Sequence, residues 1–162
     1  MSTPAPLIEP GQPAPDFTLP RDMASGGGAI SLSDLRGQNV VLYFYPKDDT
    51  SGCTTQALDF TSLLPDFAKA NTVILGLSKD PIAKHDKFVA KHGLGIPLLS
   101  DFESDTCERY GTWGDKQMYG KVFQGIIRTT VLIGADGIIR KVWPKVRVKG
   151  HVAAVLDEVR AL

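Results

Sequence analysis

Three short runs of β-branched, aliphatic and aromatic residues set the limits on this fold: Asn39–Tyr45, Thr72–Ser78 and Ile96–Asp101. The first is apolar on both faces and the second is equally buried in character, as strands inside a covered sheet are. Helical stretches separate them. Cys53 to about Leu64 reads as a helix, which Pro65 is expected to interrupt because proline lacks the amide donor and clashes one turn back. A second helix opens at Asp80-Pro81 and closes at His92-Gly93.

The flanking segments complete a β-rich frame. Ala14–Leu19 reads as an edge strand that returns at Ile30–Leu32 after the glycine-rich loop Arg21–Gly28. Ser33–Gly37 is a helical turn, and Glu103–Tyr110 a short helix. Thr129–Ile133 and Ile138–Trp143 flank Asp136-Gly137, a hairpin signature. Gly150–Leu162 carries apolar residues at Val152, Val155, Leu156, Val159 and Leu162, the spacing of an amphipathic helix. The order β-α-β-α-β, hairpin, helix predicts an α/β, thioredoxin-like fold: a central mixed sheet flanked by helices on both faces, with an N-terminal β extension. A chain of 162 residues suits one domain. Residues 1–10, rich in proline, are expected to form a mobile arm.

Charge narrows the function classes. Lys plus Arg equals Asp plus Glu, 18 of each, so nothing points to nucleic acid or an anionic membrane. The apolar runs are too short to cross a bilayer. The first residues lack the basic and apolar regions of a signal peptide, so the expected compartment is the reducing cytoplasm. Cys53 and Cys107 are then redox or structural thiols rather than a permanent staple. No Cys/His spacing matches a zinc site, and neither a metal nor a cofactor is expected. His85 and His92 are expected to be solvated, and His151 to cap or pack the last helix. Gly26-Gly27-Gly28 neither follows a long strand nor opens a helix as a phosphate cradle would.

Cys53 is the candidate nucleophile. It follows a strand and sits at a helix start, where unpaired N–H groups and the helix dipole favour a thiolate. The pattern Pro46-x-x-x-Thr50-x-x-Cys53, with Arg128 far downstream, resembles a peroxiredoxin active site. Phe44–Thr50, Met118–Lys121 and Val146–Val152 resemble the bacterioferritin-comigratory (PrxQ-type) branch. The resemblance spans about residues 10–162. It implies a peroxidatic Cys53 that attacks hydrogen peroxide or an organic hydroperoxide. Thr50, the Cys53 and Gly52 amides and Arg128 would hold the peroxide, and Pro46 would shield the sulfur. Tyr45, Met118 and Phe123 are further pocket candidates, although Tyr45 reads more as packing than as a site residue. Asp48 and Asp49 are expected to face water, away from the thiolate. Arg128, between Ile126-Ile127 and Val131–Ile133, is expected in a core strand.

The resemblance also has gaps. The position where many relatives carry a resolving cysteine is Leu58, and the glutamate often found three residues after the nucleophile is Gln56. The helix at 81–92 has no cysteine. Cys107 is either a buried structural thiol or an unusual resolver that needs local unfolding to reach Cys53. With no resolver, thioredoxin, glutaredoxin or glutathione would reduce Cys53. The branch implies a monomer, with a dimer through the active-site edge as the alternative. Two other functions remain open: a thiol–disulfide oxidoreductase on the same fold, and a redox-switch or chaperone-like interaction protein.

Overall fold

The structure, a computed structural model, describes residues 6–162. In chain order the strands are β1 (Thr18–Pro20), β2 (Ala29–Ser31), β3 (Asn39–Phe44), β4 (Thr72–Ser78), β5 (Leu98–Ser100), β6 (Trp113–Met118), β7 (Lys121–Ile126), β8 (Thr129–Ile133) and β9 (Ile139–Trp143). The helices are α1 (Ser51–Lys69), α2 (Ile82–His92), the single-turn α3 (Thr106–Arg109) and α4 (His151–Arg160). The central sheet has the order β5-β4-β3-β8-β9. β3, β4 and β5 are parallel, β8 runs against them, and β9, antiparallel to β8, returns to their direction. This is the thioredoxin-like, mixed-sheet arrangement expected from the order of elements.

Strand alternation builds two cores. Val41, Tyr43 and Tyr45 meet Ala57, Phe60 and Phe67 of α1, Phe88 of α2 and Val152, Val155 and Val159 of α4. Val40, Leu42 and Phe44 point the other way, onto Ile8, Phe17, Leu19, Cys107 and Tyr110. The long helices therefore share one face. The other carries the β1–β2 hairpin, the 3-10 turn Leu32–Leu35 and α3. Gly76 makes the first core possible. A Cβ there would lie 2.8 Å from both Tyr43 Oη and Leu98 Cδ2, so only glycine lets Tyr43 cross β4 and stack on Phe60, ring centroids 4.6 Å apart.

Three expectations need correction. Helix α1 continues through Pro65 to Lys69. Proline costs about 3 kcal/mol inside a helix, but Phe60 and Phe67 are fully buried on either side of it. Each contributes roughly 2–3 kcal/mol of burial, enough to hold the helix across the lost bond. Of the arm expected at 1–10, residues 1–5 lie outside the described residues, while the segment after them is docked. Ile8 is buried and donates its N–H to the Tyr110 carbonyl, and Gly11 donates to Ile139. The β6–β7 hairpin has no counterpart in the sequence reading. Its two-residue turn is Tyr119-Gly120, with φ of 52° and 77°.

His151 packs rather than caps. It is buried, its Nε2 lies 2.7 Å from Thr130 Oγ1, and Trp143 meets it edge-on. Burial, then the Arg128 charge, lowers its pKa from 6.5 to about 4. A neutral histidine in the fold that charges in the unfolded chain removes stability as pH falls from about 6.5 toward 4. Urea unfolding should show wild type losing about 2 kcal/mol more than His151→Gln between pH 7 and pH 5. Equal losses would show that His151 does not titrate this way.

Candidate active site

Helix α1 begins at Ser51, so Cys53 is its third residue and its N–H lies among the first-turn donors with no partner one turn back. Thr50 precedes the helix in extended backbone. Its hydroxyl does not cap α1 but donates to the Lys47 carbonyl at 2.9 Å. With its proton committed, Thr50 Oγ1 presents lone pairs, making it an acceptor for a hydroperoxide O–H. Pro46 is half-buried at the start of this turn, and Cys53 is 1% exposed in the core beneath it.

Arg128 closes the site from the other side of the sheet's middle. It stands in the join between β7 and β8, not within a strand as expected. Its backbone carbonyl accepts from Val146 N–H. Nη1 donates to Gln56 Oε1 at 2.6 Å and Nη2 to Cys53 Sγ at 3.3 Å. The anchor is a neutral amide, so the guanidinium charge faces the sulfur without a carboxylate drawing on it at that bond. Gln56 is fully buried, and its Nε2 has no partner. Gly52 clears the space: a Cβ there would lie 3.2 Å from Arg128 Nη2.

Sequence reasoning missed several neighbours. Lys116 of β6 donates to the Ile126 carbonyl at 2.8 Å. Burial, then Arg128, lowers its pKa, while Cys53 acts in the opposite sense. Asp48, expected in water, is buried. Its Oδ1 accepts from Tyr45 Oη at 2.6 Å and its Oδ2 lies 2.6 Å from His85 Nδ1. Tyr45 is thus a core residue that holds the loop, not a pocket wall. His85, expected to be solvated, is fully buried; only the spacing of His85, Phe88 and Val89 on one helical stripe could have revealed it. Asp49 stays partly exposed, paired with Lys91 and His92.

Other candidates do not converge on the sulfur. Met118 and Phe123 lie on the exposed β6–β7 hairpin, 56% and 43% exposed. Cys107 is buried in the core on the opposite face of the sheet from Cys53, and both thiols are free. Burial, then the Asp101 carboxylate, pushes the Cys107 thiol well up. Asp48, Asp80 and His85 place ligand atoms within 4.8 Å of one another. His85 Nδ1 is already bonded to Asp48 Oδ2, and Asp80 Oδ2 accepts from the Asp48 backbone N–H and the Ser78 hydroxyl, so a cation would have to break these bonds.

The AhpC/TSA family model matches residues 10–142. A putative peroxiredoxin Bcp of Coxiella burnetii is 51% identical over 152 residues, 94% of this chain and 99% of that one. Peroxiredoxin Bcp of Bacillus subtilis is 46% identical over 153 residues, 94% and 96% of the two chains. Among solved structures, a cysteine-to-serine mutant of Xylella fastidiosa PrxQ superposes with a TM-score of 0.88 at 37% identity, over 97% of this chain and 98% of that one. The Xanthomonas campestris bacterioferritin comigratory protein, studied for alkyl peroxide reduction, superposes at 0.83 with 43% identity over 90% of each chain.

Proposed function

The chain belongs to the AhpC/TSA family and is a thiol peroxidase, and from that premise we propose that Cys53 is the peroxidatic residue of a one-cysteine mechanism. The observation that carries this reading is the Arg128 bridge, Nη2 on Cys53 Sγ and Nη1 fixed on buried Gln56. The thiolate attacks the terminal oxygen of ROOH in line. An S–O bond forms as the O–O bond breaks, Cys53 becomes sulfenic acid, and RO⁻ leaves to take a proton from solvent. Arg128 and the first-turn amides of α1 face the charge that moves from sulfur to oxygen. Thr50 Oγ1 accepts the peroxide hydrogen and orients the bond.

Recovery needs a second thiol. Cys107 lies across the sheet, which favours an external reductant of the thioredoxin, glutaredoxin or glutathione class. That thiol attacks the sulfenic sulfur, releases water and forms a mixed disulfide, which a further thiol resolves. Because Cys53 is buried, the first turn of α1 must open for this step. Its start lacks a side-chain cap, so opening breaks few bonds. Two free thiols fit a reducing, cytoplasmic setting. The described residues contain no helix long and apolar enough to cross a membrane. We read the working form as a monomer, with a dimer through the active-site edge as the alternative.

Intact mass read within seconds of one equivalent of hydrogen peroxide tests the mechanism. Gain of one oxygen, trapped by added thiol, is the expected result. Loss of two hydrogens would identify a Cys53–Cys107 disulfide and overturn the one-cysteine reading. Left without thiol, the sulfenic acid should advance to sulfinic acid.

A further inference from the structure

The turn that presents Thr50 is gripped by a helix that carries none of the reacting groups. Thr50 Oγ1 closes onto the Lys47 carbonyl, with Asp48 and Asp49 between them. Both aspartates are held from α2. Asp48 meets His85, and Asp49, in the left-handed region at φ 59°, meets Lys91 and His92. The Asp48 backbone N–H also donates to Asp80 Oδ2 at 2.8 Å, and that carboxylate accepts from the Ser78 hydroxyl at 2.7 Å.

The partners of His85 define its charge. Nε2 lies 2.8 Å from the Leu99 carbonyl, which can only accept, so Nε2 carries hydrogen. Nδ1 lies 2.6 Å from Asp48 Oδ2, and the other oxygen of that carboxylate already accepts from Tyr45. A lone pair on Nδ1 would face a carboxylate oxygen, so both ring nitrogens donate. The titratable groups facing the ring are Asp48 and Tyr45 from the segment after β3 and Asp80 from the turn after β4.

We propose that His85 is a positioning residue for peroxide reduction: as an imidazolium paired with Asp48 it fixes the Lys47–Thr50 turn, and its deprotonation releases that turn. The proposal rests on the reading of Cys53 and Thr50 given above. Burial opposes the charged ring, but the Asp48 bond and charge outweigh it and raise the His85 pKa. The pair is therefore complete below the raised value and is lost as pH rises through it. Peroxide reduction should fall on the alkaline side for this reason.

The first measurement is the ring nitrogen spectrum of histidine-labelled, reduced protein. His85 should show hydrogen on both nitrogens at pH 7; an unprotonated Nδ1 would overturn the proposal. This readout does not depend on turnover, so it stands even if Cys53 proves unreactive. The second is the pH profile of two variants. His85→Asn keeps an amide donor toward Asp48 and has nothing to titrate. It should lose the alkaline limb while staying within about tenfold of wild type at pH 7. His85→Gln reaches toward Leu99 and leaves Asp48 without its donor; it should fall about a hundredfold. An alkaline limb that persists in His85→Asn, or a wild-type rate in His85→Gln, would overturn the assignment.

Discussion

Replacing Cys53 by serine will abolish peroxide consumption, while replacing Cys107 by serine will leave it within about twofold of wild type. A serine hydroxyl is too weak a nucleophile, and has no accessible sulfenate-like product, to substitute at Cys53. Cys107 is another matter. It sits with the Phe17, Leu19 and Tyr110 side chains on the far face of the sheet, so no motion short of opening α1 or α3 brings the two sulfurs together. Its backbone N–H donates to Asp101 Oδ2 at 2.9 Å, and a serine hydroxyl can share that carboxylate. The cost of the exchange should be about 1 kcal/mol of stability. The measurement is peroxide loss with dithiothreitol as reductant. A wild type that loses two hydrogens on one equivalent of peroxide without added thiol, where Cys107→Ser gains one oxygen, would make Cys107 the resolver.

The sequence carried the frame of the molecule because that frame depends on local signals. β3 and β4 were visible as runs with no polar face, and β8–β9 as two β-rich segments around Asp136-Gly137. The β6–β7 hairpin was invisible for the converse reason. Its strands are mostly exposed and mix polar with apolar residues, and its turn uses Tyr119, not the asparagine or aspartate that usually accepts positive φ there. Pro65 misled because intrinsic propensity is a weak guide where a helix buries two phenylalanines. At the site, Cys53, Thr50 and Arg128 were legible as a pattern, and the structure brings the first and last into contact. The Asp48–His85 pair was not, because an aspartate and a histidine 37 residues apart look solvated until the fold buries both. The chain leaves Thr50 open as donor or acceptor; that it accepts follows from where the Lys47 carbonyl lies.

Arg128→Ala should lower the rate constant for hydrogen peroxide by about a hundredfold to a thousandfold, the usual cost of losing one preorganised donor at a developing oxyanion. Lysine should not rescue it. A single ammonium on a flexible stem cannot span from Gln56 Oε1 to Cys53 Sγ, as the two guanidinium nitrogens do at 2.6 and 3.3 Å. Alkylation by iodoacetamide separates two possible causes. It needs a reachable thiolate but no stabilised leaving oxygen, so it should fall by no more than about tenfold in Arg128→Ala. Equal losses in both reactions would mean that Arg128 serves only the sulfur. A far larger loss with peroxide would place its main work on the breaking O–O bond, where the neutral Gln56 anchor leaves the charge free to follow the electrons from sulfur to the departing oxygen.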